Sequence, residues 1–217
     1  MKTLFIEARR KFPKNIDLSP LDKLKGKKIS LAATIQYLDL VPLVKKYLEK
    51  KSKKVIIKPG AAYKAHVLGC NSNAFDKKAD TLLLLADGKF HAINNALQLD
   101  KELHIYNTKN IEKITKQEIN KIKQKTKAKQ AKFLSYNIIG LLTSTKPGQH
   151  HKGIYNIKKK IQKLNKKAYI FQSNDINIAE LENFPQIKIW VNTACPGLAL
   201  DSSKIINLQD VAEFLRI

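Results

Sequence analysis

Arginine, glycine, proline and cysteine are all scarce in this 217-residue chain, and each scarcity excludes something. Eight glycines and seven prolines rule out a collagenous or low-complexity chain. No apolar run approaches the ~20 residues needed to cross a bilayer. The longest, residues 81–86, has the length of a buried strand. Residues 1–11 lack the basic-then-apolar order of a signal peptide, so the expected location is the cytoplasm. Without a Walker loop, a GxGxxG or a GxSxG, the chain offers no support for nucleotide hydrolysis, a Rossmann cofactor or a serine-hydrolase elbow. Zinc lacks support too, because no CxxC or HxxxH spacing occurs. Only two cysteines are present, Cys70 and Cys195. A structural disulfide is not expected in the cytosol, and isolated thiols are ordinarily buried and inert.

Lysine is what the chain has in excess. Lys and Arg number 41 against 18 Asp and Glu, a formal net charge of +23, yet only Arg9, Arg10 and Arg216 are arginines. One reading is a nucleic-acid-binding surface. The other is base composition, since lysine, asparagine and isoleucine share A/T-rich codons and arginine, the better base and phosphate reader, is rare. A hydrophobic fraction of 43% predicts a folded chain under either reading.

Periodicity alternates between strand and helix. Residues 3–7, 28–34, 54–57, 81–86 and 103–106 read as strands in the first half, with helices at 40–51 and 91–99. Residues 107–132 read as one lysine-rich solvated helix with Ile119, Ile122 and Ala128 inward. The second half repeats the pattern, with strands at 138–144, 168–172 and 187–192 and helices at 153–167, 178–184 and 208–215. "KKISLAATIQ" echoes "NIIGLLTSTK", and "LVKKYLEKKSKKVIIK" echoes "NIKKKIQKLNKKAYIF", as a duplicated strand–helix–strand unit would. The expected fold is α/β: two repeated small three-layer domains with mainly parallel sheets, residues 1–111 carrying Cys70 and 112–217 carrying Cys195.

Open parallel sheets bind ligands at the carboxyl ends of their strands. Four unusual segments fall there or nearby: "VLGCNSN" with Cys70, "ADGKFH", "TSTKPGQ", and "TACPGLALD" with Cys195. By spacing alone, two cysteines so far apart make a weak iron–sulfur signal. The polar company of Asn71, Ser72, Asn73 and Thr193 suits a metal-bound thiolate better than an apolar core would. The five histidines, His66, His91, His104, His150 and His151, read as surface or hydrogen-bonding groups.

Taken in order, "FIEAR", "KKISLAATIQYL", "VLGC", "ADGKFH", "LLTSTKPGQ" and "NTACPGLALD" resemble the diphthamide-biosynthesis 3-amino-3-carboxypropyl transferase family, the archaeal type of 2-(3-amino-3-carboxypropyl)histidine synthase. The resemblance covers essentially the whole chain. It implies three related α/β domains, each giving one cysteine to a [4Fe–4S] cluster whose open iron takes S-adenosylmethionine as substrate. A 3-amino-3-carboxypropyl radical then modifies a histidine of translation elongation factor two. On this resemblance Cys70 is the second-domain ligand and Cys195 the third-domain ligand. Asp87, Gly88, Phe90, His91, Thr145 and Gln149 would contact S-adenosylmethionine, although Asp87–Phe90 read equally well as a tight turn capping the core. The family's first domain has no counterpart here. The third ligand would come from a separate chain, from a second copy in a homodimer, or from His66 or Asp87. Tyr37 stands where the family tends to have histidine, and Gly197 where it tends to have arginine. The competing expectation is a catalytically degenerate basic scaffold binding RNA or the ribosome.

Overall fold

Leucine- and isoleucine-rich runs form parallel strands, and the amphipathic stretches between them form crossover helices. The computed structural model describes residues 4–217. The chain divides into two units, one ending at Asn120 and the other comprising Lys121–Ile217.

In the first unit the strands are β1 (Lys28–Ala33), β2 (Lys54–Ile56), β3 (Thr81–Leu85), β4 (Leu103–Tyr106) and β5 (Ile111–Ile114), in the spatial order β2-β1-β3-β4-β5. All pairs are parallel except β4 with β5. β3 reads Thr-Leu-Leu-Leu-Leu and is buried along its whole length, because helices or turns cover both faces of the sheet. Helix α1 (Val41–Lys50) begins with Pro42, whose missing N–H costs nothing in a first turn. Its Val41, Val44 and Leu48 pack onto one face, beside Leu31, Leu83 and Leu85. Helix α2 (Phe90–Leu99) covers the other face with Ala92, Ala96 and Leu99 against Leu82 and Leu84.

The second unit has β6 (Ile138–Ser144), β7 (Lys167–Ser173), β8 (Ile189–Asn192) and β9 (Ile205–Asn207), all parallel, in the order β7-β6-β8-β9. Helix α3 (Lys116–Ser135) straddles the division between the units. α4 (Ile154–Gln162) and α6 (Leu208–Leu215) cover one face with Ile157, Ile161 and Val211. The short α5 (Leu198–Asp201) and a 3-10 turn at Ile178–Asn183 lie on the other side, around Trp190. The echo in sequence is thus an echo in topology: β2-β1-β3 and β7-β6-β8 are the same arrangement.

Four expectations need correction. Residues 4–7 form no strand; they are exposed and pair with no sheet edge, while Thr3 lies outside the described residues. The stretch 107–132 does not start as a helix. Asn107 Oδ1 accepts the backbone N–H groups of Lys109 and Asn110 at 3.0 Å each, which closes a turn and sends β5 back along β4. Ala128 is exposed and Ile122 half-buried; the inward residues of α3 are Ile119 and Phe133. Residues 178–183 form a 3-10 turn rather than an α-helix.

Candidate functional site

In the first unit β1 lies between β2 and β3, so the chain leaves β1 toward one side and β3 toward the other. Loops diverging at such a reversal open a crevice at the strands' carboxyl ends. Here the crevice is a cleft of about 170 Å³ lined by Thr34, Gln36, Tyr37, Asp87 and His91. Thr34 follows β1 and donates its N–H to Leu85 O at 3.0 Å, which fixes the two strand ends together. A 3-10 turn, Ile35–Leu40, carries Gln36 and Tyr37. Asp87 follows β3, and Gly88 beside it has φ +67° with open space around it, a left-handed turn that glycine adopts without strain.

Asp87 is held on both oxygens. The buried Tyr37 hydroxyl donates to Oδ1 at 2.5 Å, and Arg10 Nη1 donates to Oδ2 at 3.0 Å and to the Tyr37 oxygen at 2.8 Å. Burial first, and the hydrogen bond to Asp87 second, push the Tyr37 phenol well above its ordinary pKa, so it remains a donor. Arg10 sits on an extended segment tied across this end of the sheet. Its own N–H bonds Gln36 O at 3.1 Å, and its neighbour Arg9 pairs with Asp39 at 2.8 Å and Glu7 at 3.0 Å. Sequence reasoning missed Arg10. The only available signal was its place in "FIEARR", where two of the chain's three arginines stand together. His91 is half-buried, and burial lowers its pKa, with His66 a smaller cause. Phe90 does not line the cleft. It is 45% exposed, meets His91 edge-on at 5.2 Å, and lies 3.1 Å from where a Cβ on Gly69 would stand.

Cys70 is an exposed free thiol on a two-residue turn. Leu68 and Asn71 exchange backbone hydrogen bonds at 3.2 Å across it. Helix α2 clamps the same turn: Asn95 Nδ2 donates to Leu68 O at 3.0 Å and Gln98 Nε2 to Gly69 O at 3.0 Å. One helix therefore carries His91 at the cleft and the amides that hold the Cys70 turn.

In the second unit β6 lies between β7 and β8, the equivalent reversal. Thr145 follows β6, where its N–H bonds Ser173 O at 3.1 Å, and the Gln149 N–H closes a turn onto Lys146 O at 3.0 Å. Cys195, a half-buried free thiol, follows β8. Buried Asn192 organises that loop, accepting the Ala194 N–H at 3.0 Å and donating to Cys195 O and Asn207 Oδ1 at 2.8 Å each.

Each thiol, free and on a polar turn, fits a single cluster ligand. Among the described residues no group of three or more His, Cys, Asp and Glu side chains gathers as a metal site. His66 is buried, with Nδ1 accepting the Ala62 N–H at 3.3 Å, and both Asp87 oxygens are engaged. Among the described residues, no helix is long and apolar enough to cross a membrane.

The family model described as "Putative diphthamide synthesis protein" matches residues 1–206. The chain is 31% identical over 214 residues to 2-(3-amino-3-carboxypropyl)histidine synthase of Methanocaldococcus jannaschii, covering 93% of this chain and 57% of that protein. It is 28% identical to the enzyme of the same name from Pyrococcus horikoshii, covering 82% of this chain and 53% of that protein. The crystal structure of Dph2 from Pyrococcus horikoshii superposes with a TM-score of 0.79 and 26% identity, over 92% of this chain and 60% of that one. The structure of Dph2 with a 4Fe-4S cluster gives a TM-score of 0.78. The chain thus spans little more than half the length of these curated relatives.

Proposed function

The chain belongs to the diphthamide synthesis family, and from that premise we propose that it supplies two thiolates and the S-adenosylmethionine cleft of an iron–sulfur transferase. The enzyme would transfer a 3-amino-3-carboxypropyl group to a histidine of translation elongation factor two, the first step of diphthamide biosynthesis, in the cytoplasm. The observation that carries this reading is α2, which joins the cleft at His91 to the turn of Cys70 through Asn95 and Gln98.

The residues divide the work by their chemistry. Asp87, oriented by Tyr37 and Arg10, keeps lone pairs free for the α-ammonium of the substrate's amino-acid end. Arg10 keeps unused guanidinium N–H groups for the α-carboxylate beside it. Neutral His91 accepts a hydrogen bond from a ribose hydroxyl. Gly88 leaves the backbone open to close approach. Phe90 acts from behind by holding the Gly69–Cys70 turn, and Thr145 and Gln149 are assigned to S-adenosylmethionine on the family resemblance alone. Cys70 and Cys195 would hold two irons of a [4Fe–4S] cluster. Such a cluster, when bound, supplies the electron that cleaves the sulfonium on its aminocarboxypropyl side. A third ligand would come from outside residues 1–217, on a partner resembling the family's first domain or on a second copy of this chain.

The test is anaerobic reconstitution of the chain with and without such a partner. Alone it should take up iron weakly; with the partner, iron content and transfer to the elongation factor should both rise. Cys70→Ala or Cys195→Ala should remove both, and Asp87→Ala should weaken S-adenosylmethionine binding tenfold or more without unfolding the protein. If the double cysteine variant keeps its iron and full transfer activity, the reading is wrong.

A further inference from the structure

The cleft and the thiols leave the lysine excess without a role. Between Glu118 and Asp175 the chain carries fourteen lysines and no aspartate, glutamate or arginine. At the chain's average density of 18 acids in 217 residues, that stretch would hold about four or five. Codon bias does not explain the gap, because the codons of glutamate and aspartate are also A-rich. A bias that multiplies lysine does not remove its counter-charges. In the second unit the acids begin at Asp175, after β7, so charge is segregated along the chain.

The fold turns this segregation into a surface. α4 buries Ile154, Ile157 and Ile161 against the sheet, so Tyr155, Asn156, Lys159 and Gln162 face water. Tyr155, Lys159 and Lys163 follow one another at four-residue spacing along the outer side, all exposed, with Lys152 at the helix entry. Tyr155 is 70% exposed, unusual for an aromatic with a core beneath it. Among the described residues none of Lys152, Lys159 and Lys163 has an ion-pair partner. The last turns of α3 reach the same side of the sheet through Phe133, and Lys121, Lys125 and Lys127 are exposed along that helix.

We propose that the lysine-rich outer side of α4 in the second unit, centred on Tyr155, Lys159 and Lys163, binds single-stranded RNA through its phosphates, with Tyr155 as a stacking platform for an unpaired base. A protein partner is usually discriminated by charges of both signs in a fixed pattern, whereas a polyanion needs one sign spread along a track. Lysine without arginine neutralises phosphate but lacks the planar fork that reads base edges, so the binding is independent of sequence. An exposed aromatic among lysines is the arrangement by which single strands are held without base readout. This binding is independent of the cleft and of both thiols.

The experiment is fluorescence anisotropy of a labelled 20-nucleotide mixed-sequence RNA from 50 to 200 mM salt, on the full chain. Binding should weaken steeply with salt and be insensitive to sequence. The triple variant Lys152→Glu, Lys159→Glu, Lys163→Glu should bind at least tenfold more weakly. Its log–log salt slope should be shallower by about 2, at ~0.7 per phosphate contact. Tyr155→Ala, a single exposed change that cannot unfold the unit, should lower affinity several-fold with the slope unchanged. Lys188→Glu, an exposed lysine outside the segment, should bind as the parent does. Equal weakening by Lys188→Glu would reduce the effect to net charge and overturn the proposal. So would equal affinity for duplex DNA, or competition by poly-glutamate as effective as by RNA, the latter pointing to an acidic protein instead. Absence of salt-sensitive RNA binding would also end it.

Discussion

At Cys70 the chain turns on two residues, and what keeps that turn in register is a pair of amides from α2. Asn95 is fully buried and spends its two N–H groups on Leu68 O at 3.0 Å and His91 O at 2.7 Å. Gln98 is exposed and reaches Gly69 O. Replacing Asn95 by Leu removes two hydrogen bonds made from a fully buried amide, which costs about 1–3 kcal/mol. Gln98→Ala removes a solvent-accessible bond and should leave global stability within about 1 kcal/mol. Both should raise hydrogen exchange at the Asn71 amide, which donates across the turn, and Asn95→Leu should raise it more. Exchange at Asn71 unchanged in both variants would mean that the turn holds itself. Tyr37 shows how a departure from the resembling family can be absorbed. Histidine at that place would be a weaker and pH-dependent donor, while the buried phenol stays protonated and keeps its bond to Asp87.

At the scale of elements, the contact between β6 and β8 is the least forgiving. Gly140 stands opposite Trp190 in the strand register, and a Cβ on Gly140 would lie 2.1 Å from Trp190 Cε3. The indole cannot retreat, since Phe171 meets it edge-on at 4.7 Å and Phe184 lies 6.0 Å away. Gly140→Ala should therefore destabilise the second unit by about 1–3 kcal/mol or more. Trp190 is the chain's only tryptophan, so its fluorescence reports the loss directly in a denaturant titration. An unchanged midpoint would mean that the strands shift apart at no cost. The strands and crossover helices were legible in the sequence because their signals are local and redundant. Thr81–Leu85 is apolar throughout, and Ile154, Ile157 and Ile161 keep helical spacing. β5 was not, because a four-residue strand after an asparagine turn leaves little pattern, and its lysine and glutamate resemble the helix that follows. The cleft was half legible. Asp87 and His91 sit in a local motif, but Thr34, Gln36 and Tyr37 join them only through the strand order, and Arg10 only through a segment with no periodicity at all.

For the molecule as a whole, histidine placement predicts how it responds to acid. His66, His91 and His104 all belong to the first unit, and in each burial is the leading cause of a pKa below the ordinary value. The folded state then binds fewer protons than the unfolded chain once pH falls past the unfolded value of about 6.5. Stability rises with pH wherever the unfolded state holds more protons, so the histidine contribution is complete above that value and is lost as pH falls toward the folded-state pKa values. Carboxylates act in the same direction at lower pH. Asp80 accepts the backbone N–H groups of Lys27 and Lys28 at 2.8 Å each and has a lowered pKa, led by the bond from Lys28, so its contribution fades as pH falls below the usual carboxylate range. The expected outcome is a first unit that loosens between pH 7 and 5, before the carboxylates titrate. Hydrogen exchange at the β3 amides, corrected for intrinsic rate, should show protection falling across that window. His91→Gln, at the half-buried cleft position, should make the fall shallower by removing one of the three titrating groups. Protection that stays flat from pH 7 to 5 would mean that these histidines take up protons in the folded state as readily as in the unfolded chain, and a neutral His91 in the cleft would have to be given up with it.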